Sequence, residues 1–210
     1  MKLHLRENVL YEGVLTASLG GEIYVSPVGF RRVKDIVEIK VYKGGLLEKV
    51  IREQGEIILN ITHDPLILTE TAFKSKMMTS RSVEEYVEFN EDGVILRDSI
   101  GYVLLERMGF SDIGEYYLVK YKVKKIATKD DQNVEPFSRC YGALVEIAVY
   151  ISKINALKNN LKLVSDYQSR VSMMLEVVNK TCSEEYTELA HRLIKVHSIH
   201  ESQSSNKNTG

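Results

Sequence analysis

An apolar run, Ile57-Ile58-Leu59, opens into Asn60, Ile61, Thr62, His63, Asp64 and Pro65. An Asn side chain presents a donor and an acceptor together, which suits the carbonyl and N–H edge of a flat heterocycle. Asp64 ahead of Pro65 also reads as the N-cap of a helix whose first residue is Pro65. Upstream, Ser26-Pro27-Val28-Gly29 closes an apolar run that begins at Glu22, and Gly44-Gly45 precedes a helical pattern beginning at Leu46. Two glycines permit positive φ, and successive N–H groups there can form an anion nest at a positive helix end; a plain tight turn uses the same residues. Arg139 follows Ser138 at the start of another helical pattern. It reads either as a phosphate contact beside free helix amides or as a surface Arg paired with a carboxylate. These groups hold an anion or a cofactor rather than perform proton transfer, and no general acid or base stands out.

The elements that must position them change character along the chain. Val9–Leu19, Glu22–Val28, Asp35–Lys43, Glu56–Thr62, Val83–Phe89, Val94–Leu96, Gly101–Arg107 and Tyr116–Ile126 are rich in β-branched or aromatic residues and bounded by turn formers. Asn90-Glu91-Asp92-Gly93 reads as a hairpin turn, with helical interruptions at Leu46–Glu53 and Leu66–Lys74. Many short strands and few helices point to a barrel rather than a doubly wound sheet. Beyond 129–133 the period lengthens to about 3.6 residues. One helix, capped by Ser138, places Tyr141, Leu144, Val145, Ala148, Ile151 and Ile154 on one face, and a second carries Val164, Tyr167, Val171, Met174, Leu175 and Val178. A third, capped by Ser183, carries Tyr186, Leu189, Ala190, Leu193 and Ile194. Three such stripes call for a small bundle. Residues 201–210 lack large apolar side chains and read as a disordered tail.

The pieces Ser26-Pro27-Val28-Gly29 and Asn60-Ile61-Thr62-His63-Asp64-Pro65, in this order and spacing, resemble an archaeal family of uncharacterised FMN-binding split β-barrel proteins. In that family an apolar run ends in Asn-x-Thr-x-Asp-Pro, and a helix opens with Asn-Arg, an apolar stretch and Ile-Glu; Pro136 to Glu146 resembles the latter. The likeness covers roughly residues 8 to 157. It implies a fold that is mainly β with α, an FMN-binding split β-barrel over 1–130 plus a C-terminal helical subdomain over 131–200. It further implies a homodimer with a flavin groove between subunits, FMN as cofactor, and cofactor contacts from Ser26, Pro27, Val28, Gly29, Gly44, Gly45, Asn60, Thr62, His63, Asp64 and Arg139. FMN held in this way makes a flavin-dependent oxidoreductase of unknown substrate the enzymatic reading. The alternative is a non-catalytic dimeric split barrel that has lost the flavin and acts as a binding or scaffold protein. Its supporting feature is Gly45-Leu46-Leu47, where the family has Ser, Thr and an aromatic residue.

Composition narrows the classes further. A net charge of −1 supplies no field for nucleic acid, and Lys120, Lys122 and Lys124 alternate with apolar residues as on a strand with one wet face. The longest apolar run is far short of the roughly 20 residues that span a bilayer, and the N-terminus lacks a signal-peptide core, so a cytoplasmic protein is expected. Cys140 and Cys182 form no CxxC pair and read as buried free thiols in a reducing compartment. His191, His197 and His200 read as solvated, and no metal site is expected. GxGxxG and GxxxxGK[ST] are absent, which argues against Rossmann and P-loop nucleotide binding.

Overall fold

Alternating burial builds the first part of the chain. On β3 (Ile36–Tyr42), Val37, Ile39 and Val41 are buried while Lys40 and Tyr42 are exposed. On β8 (Tyr116–Thr128), Tyr117, Val119 and Tyr121 are buried and Lys120, Lys122 and Lys124 exposed, as the alternation requires. With β1 (Leu10–Leu19), β2 (Glu22–Val33), β4 (Glu56–Ile61) and β7 (Gly101–Asp112), these strands close a barrel in the order β1-β2-β3-β8-β7-β4. The closing pair sets Val14–Thr16 antiparallel to Asn60–Ile58. The interior includes fully buried Leu15, Phe30, Ile39, Leu59 and Leu105, each contributing about 1.5–3 kcal/mol by burial. Gly101 is required at the β7–β8 contact, because a Cβ there would lie 2.6 Å from the Ala127 carbonyl oxygen.

The structure is a computed structural model describing residues 4–73, 82–128 and 135–205. It forms two compact units, Met1–Glu7 with Tyr11–Phe137, and Asn8–Leu10 with Ser138–Gly210. The expected boundary at 129–133 lies outside the described residues, as does Lys74. Among the described residues no helix is long and apolar enough to cross a membrane.

Helix α1 (Leu46–Glu53) follows β3 and packs on β2 and β3; α2 (Pro65–Phe73) follows β4 and packs on β2. Two expectations change here. Ser26–Gly29 does not end a strand, because β2 continues to Val33, where Phe30–Val33 pair with Ile36–Ile39. The strand expected from Val83 begins as the helical turn α3 (Val83–Tyr86), and the strand β5 covers Val87–Asn90. The reason is a reciprocal cap: Ser82 N–H donates to Glu85 Oε1 at 3.1 Å and Glu85 N–H to the Ser82 carbonyl at 3.1 Å. β5 then pairs with β6 (Gly93–Leu96) across the expected Glu91-Asp92 turn.

The helical unit contains α4 (Arg139–Ala156), α5 (Leu161–Thr181) and α6 (Glu184–Ser205). Ser138 caps α4, its Oγ accepting from Cys140 N–H at 3.2 Å. The buried face of α4 is Cys140, Ala143, Ile147 and Ile154; Val145 and Ala148, expected inside, are exposed. Tyr141, Leu144, Ile151 and Ile154 of the expected face do pack in or against this core. A second correction concerns the cysteines: Cys140 and Cys182 are not free thiols but form a disulfide. On α5 the expected face holds, with Val171 and Val178 buried and Val164, Tyr167, Met174 and Leu175 packed around them. α6 continues to Ser205, into the segment expected to be disordered, because its helical pattern is not ended by a Gly or Pro; residues 206–210 lie outside the described residues.

Candidate functional site

A cleft of about 480 Å³ opens on the barrel unit where β2, β3, α1 and the end of α2 meet. β2 supplies Tyr24 and Ser26-Pro27-Val28-Gly29, and β3 supplies Lys40 and Tyr42 from its outward face. Gly45 and Leu47 come from the start of α1, and Thr71 from α2. The strand alternation that buries Val37, Ile39 and Val41 necessarily presents Lys40 and Tyr42 together. Lys40 Nζ lies 4.0 Å from the Tyr116 ring centroid, and Tyr42 meets Tyr116 edge-on at 6.0 Å, so Tyr116, outside the cleft lining, packs against both the cation and the phenol ring that border it. Ser26 Oγ has a 3.5 Å contact to the Pro27 carbonyl, too long to satisfy a hydroxyl, which leaves it available to a ligand.

The glycine pair divides its roles. Gly44 carries the positive φ, +81°, while Gly45 has φ −99° and is the extended N-cap of α1. A requirement for positive φ at Gly45 is therefore not met; the residue matters for the space beside it, where an added Cβ meets nothing within 4 Å. Gly44 N–H donates to Glu48 Oε2 at 2.7 Å, and Arg52 Nε donates to Glu48 Oε1 at 3.0 Å. The Gly44 amide, and after it Arg52, hold the Glu48 carboxyl below the ordinary range. The expected anion cradle thus already contains an anion supplied by the chain.

The second motif serves the fold. Asn60 is fully buried, its amide donating to the Val14 carbonyl at 3.0 Å and to Thr16 Oγ1 at 2.9 Å, while its carbonyl accepts from Leu96 N–H at 2.8 Å. The hairpin β5–β6 covers the outward face of β4 there, so Asn60 pins the hairpin to the barrel wall and presents no amide edge to the cleft. Thr62 is buried and accepts from Asp64 N–H. Asp64 Oδ1 accepts from Leu66 N–H at 2.8 Å, so Asp64 caps α2. His63 is exposed and bonds the Glu135 carbonyl through Nε2. Of the sequence candidates in the barrel unit, Ser26, Pro27, Val28, Gly29 and Gly45 line the cleft; Gly44, Asn60, Thr62, His63 and Asp64 do not. Arg139 stands at the start of α4 in the helical unit, lining a pocket of about 310 Å³ with Met173, Met174 and Lys180. Tyr24, Lys40, Tyr42, Glu48 and Thr71 were not singled out from the sequence. The alternation of β3 was the available signal for Lys40 and Tyr42, and the third helical position, one turn after the N-cap, was that for Glu48.

Residues 11–108 match the model of a protein of unknown function (DUF447), N-terminal domain. Over that stretch the chain is similar to the DUF447 N-terminal domain. The chain superposes on the FMN-bound DUF447 protein of Methanosarcina mazei with a TM-score of 0.52 and 15% identity, covering 92% of this chain and 96% of that one. It superposes on flavoredoxin of Methanosarcina acetivorans with a TM-score of 0.51 and 14% identity, over 65% and 81% of the two chains. A flavin reductase in its native state gives a TM-score of 0.50 and 13% identity over 58% and 81%. The fold is that of the flavin-reductase split barrel with C-terminal helices. No curated protein matches the chain.

The cleft of the barrel suits a flavin in three respects. Its volume falls within the roughly 300–1,000 Å³ of small-molecule sites, Gly29 and Gly45 allow close approach, and Lys40 supplies a cation. The start of α1 supplies amides but no hydroxyl from Gly45 or Leu47, and its Gly44 amide is taken by Glu48.

Proposed function

We propose that this protein binds a flavin, FMN, in the cleft between β2, β3 and α1. The observation that carries the reading is the convergence of Ser26–Gly29 and Gly45, distant in sequence, on one 480 Å³ cleft bordered by Lys40, Tyr24 and Tyr42. It is supported by the split-barrel fold shared with proteins whose names record flavin binding. Ser26 is placed to donate to a ring or ribityl oxygen. Lys40 is placed to neutralise an anionic group, and Tyr42 to cover an apolar face and exclude water. Bound FMN would supply hydride or electron transfer at its N5 position. An oxidoreductase is the enzymatic form of this reading, its substrate one that exchanges a hydride or electrons with the flavin. In the helical unit, Arg139 is proposed as an anion contact, from its position as the first residue of α4 and its place in a pocket with Lys180. Purified protein that is yellow, or that shifts and quenches the flavin bands on titration, supports the reading; colourless protein that leaves added FMN unchanged removes it.

A second reading, a dimeric scaffold without flavin, draws on the Glu48 carboxylate at Gly44 and on Leu47 in the cleft wall. Both readings take the protein as a homodimer with two domains, the barrel unit and the helical unit. The barrel exposes large apolar side chains at Tyr42 (62%), Met108 (64%) and Ile113 (48%), which association would cover. Sedimentation equilibrium at micromolar concentration decides the dimer. A cytoplasmic location completes the proposal. Disulfides are rare in reducing compartments, so trapping Cys140 and Cys182 with an alkylating reagent at lysis tests whether the bridge persists there.

A further inference from the structure

We propose that Lys40, held over the ring of Tyr116, is the phosphate contact of the cleft, so that the cleft selects a flavin ending in a phosphate monoester over one ending in neutral hydroxyls. The inference rests on the flavin reading above and deepens it. Of the residues that line the cleft, Lys40 alone carries a charge. Its ammonium lies 4.0 Å from the Tyr116 ring centroid and makes no ion pair among the described residues, not even with Glu38, two residues away on the same outward face of β3. The register explains the arrangement. Lys40 stands opposite Leu118 and Tyr42 opposite Tyr116, so Tyr116 is the diagonal neighbour of Lys40 on one face of the sheet, within reach of a long side chain. An aromatic face attracts a cation without cancelling its charge, as a carboxylate would. Tyr42, itself in the cleft wall, packs edge-on against the same ring at 6.0 Å and keeps it in place. The rest of the lining leaves the phosphate few other partners. Gly45 and Leu47, the cleft residues at the start of α1, carry no hydroxyl, Thr71 Oγ1 donates to the Ile67 carbonyl at 2.8 Å, and Tyr24 Oη donates to Glu22 at 2.9 Å. A phosphate therefore meets its one cationic partner at Lys40, which leaves the Ser26 hydroxyl to the neutral part of the flavin. Tyr116 does not touch the ligand; it is a positioning residue that acts through Lys40.

Charge and ring can be tested separately. FMN and riboflavin are titrated in parallel by flavin fluorescence into wild type, Lys40→Met, Lys40→Arg, Tyr116→Leu and Tyr116→Phe, each first checked by thermal melting. Wild type is expected to bind FMN at least about tenfold more tightly than riboflavin, the effect of one charge-assisted contact. Lys40→Met keeps the apolar stem and removes the charge, so FMN should weaken about tenfold while riboflavin changes by less than about twofold. Lys40→Arg, which keeps the charge, should retain most of the FMN affinity. Tyr116→Leu should weaken FMN several-fold and spare riboflavin, whereas Tyr116→Phe, which keeps the ring face, should bind both flavins as wild type does. Raising NaCl from about 0.05 M to about 0.5 M should weaken FMN in wild type and much less in Lys40→Met. An unchanged FMN-to-riboflavin ratio in folded Lys40→Met overturns the inference and leaves the flavin reading standing. So does wild type that binds the two flavins alike, a measurement that needs no variant. An unchanged ratio in folded Tyr116→Leu removes Tyr116 from the positioning role. If neither flavin binds, both readings fall together.

Discussion

Ser26–Gly29 and Asn60–Pro65 are similar to the eye: each leaves an apolar run with a hydroxyl, a proline and a residue suited to recognition. The barrel uses them in opposite ways. Ser26–Gly29 lies on a stretch of β2 ahead of its pairing with β3, borders open space and keeps an unsatisfied hydroxyl. Asn60 lies on β4 between two neighbouring strands and under a hairpin, and its donors and carbonyl are engaged by the fold. What separates a ligand contact from a structural knot is the number of hydrogen bonds already made, because a buried amide with its partners in place has little to offer a ligand.

Breaking the knot should have the largest effect. Asn60→Ala strands the Val14 carbonyl and the Leu96 N–H, and at about 1–3 kcal/mol for each orphaned group the loss should reach roughly 3 kcal/mol in urea denaturation. A loss below about 1 kcal/mol, with flavin affinity lowered in the folded variant, would return Asn60 to the cofactor site. The glycine pair gives the next contrast. Gly44→Val places a branched side chain at φ +81° and should cost about 1–2 kcal/mol of stability, whereas Gly45→Val is sterically allowed at φ −99° and should leave stability within about 0.5 kcal/mol. Its isopropyl group instead enters the cleft, so flavin affinity should fall at least about tenfold, measured by the same titration.

Asp64→Ala tests the cap. Loss of the bond from Leu66 N–H should cost about 1 kcal/mol in thermal or urea unfolding, with flavin affinity unchanged; weakened flavin binding would place Asp64 at the ligand. The smallest effect belongs to the other motif. Ser26→Ala should leave stability within about 0.5 kcal/mol and weaken the flavin several-fold, the effect of one neutral hydrogen bond. If Ser26→Ala instead destabilises the protein and spares the flavin, the contrast between the two motifs is reversed.

The helical unit repeats the lesson at the level of a helix. The 3.6-residue period announced α4, yet Tyr141, Val145 and Ala148 fit an apolar stripe as well as Cys140, Ala143 and Ile147 do. In the structure Cys140, Ala143 and Ile147 are buried with Tyr141 packed beside them, while Val145 and Ala148 are exposed; Cys140 is bonded to Cys182, and no spacing between two isolated cysteines announces that bond. Val83–Tyr86 shows the reverse case. Its Ser82-x-x-Glu85 cap was readable, but β-branched and aromatic residues nearby outweighed it in a strand assignment.

Alternation on β3 and β8, the Asn90–Gly93 turn, the two interrupting helices and the three C-terminal helices were determined by the sequence, because each depends on residues a few positions apart. Those local preferences also determined that Lys40 and Tyr42 share an outward face and that Asp64 can cap α2. The meeting of Ser26–Gly29 with Gly45, the burial of Asn60 beneath β5–β6 and the pairing of Cys140 with Cys182 were decided by tertiary structure. Each joins segments well separated along the chain, and whether a polar group faces a ligand or a neighbouring strand is settled only when the barrel closes and the hairpin covers β4.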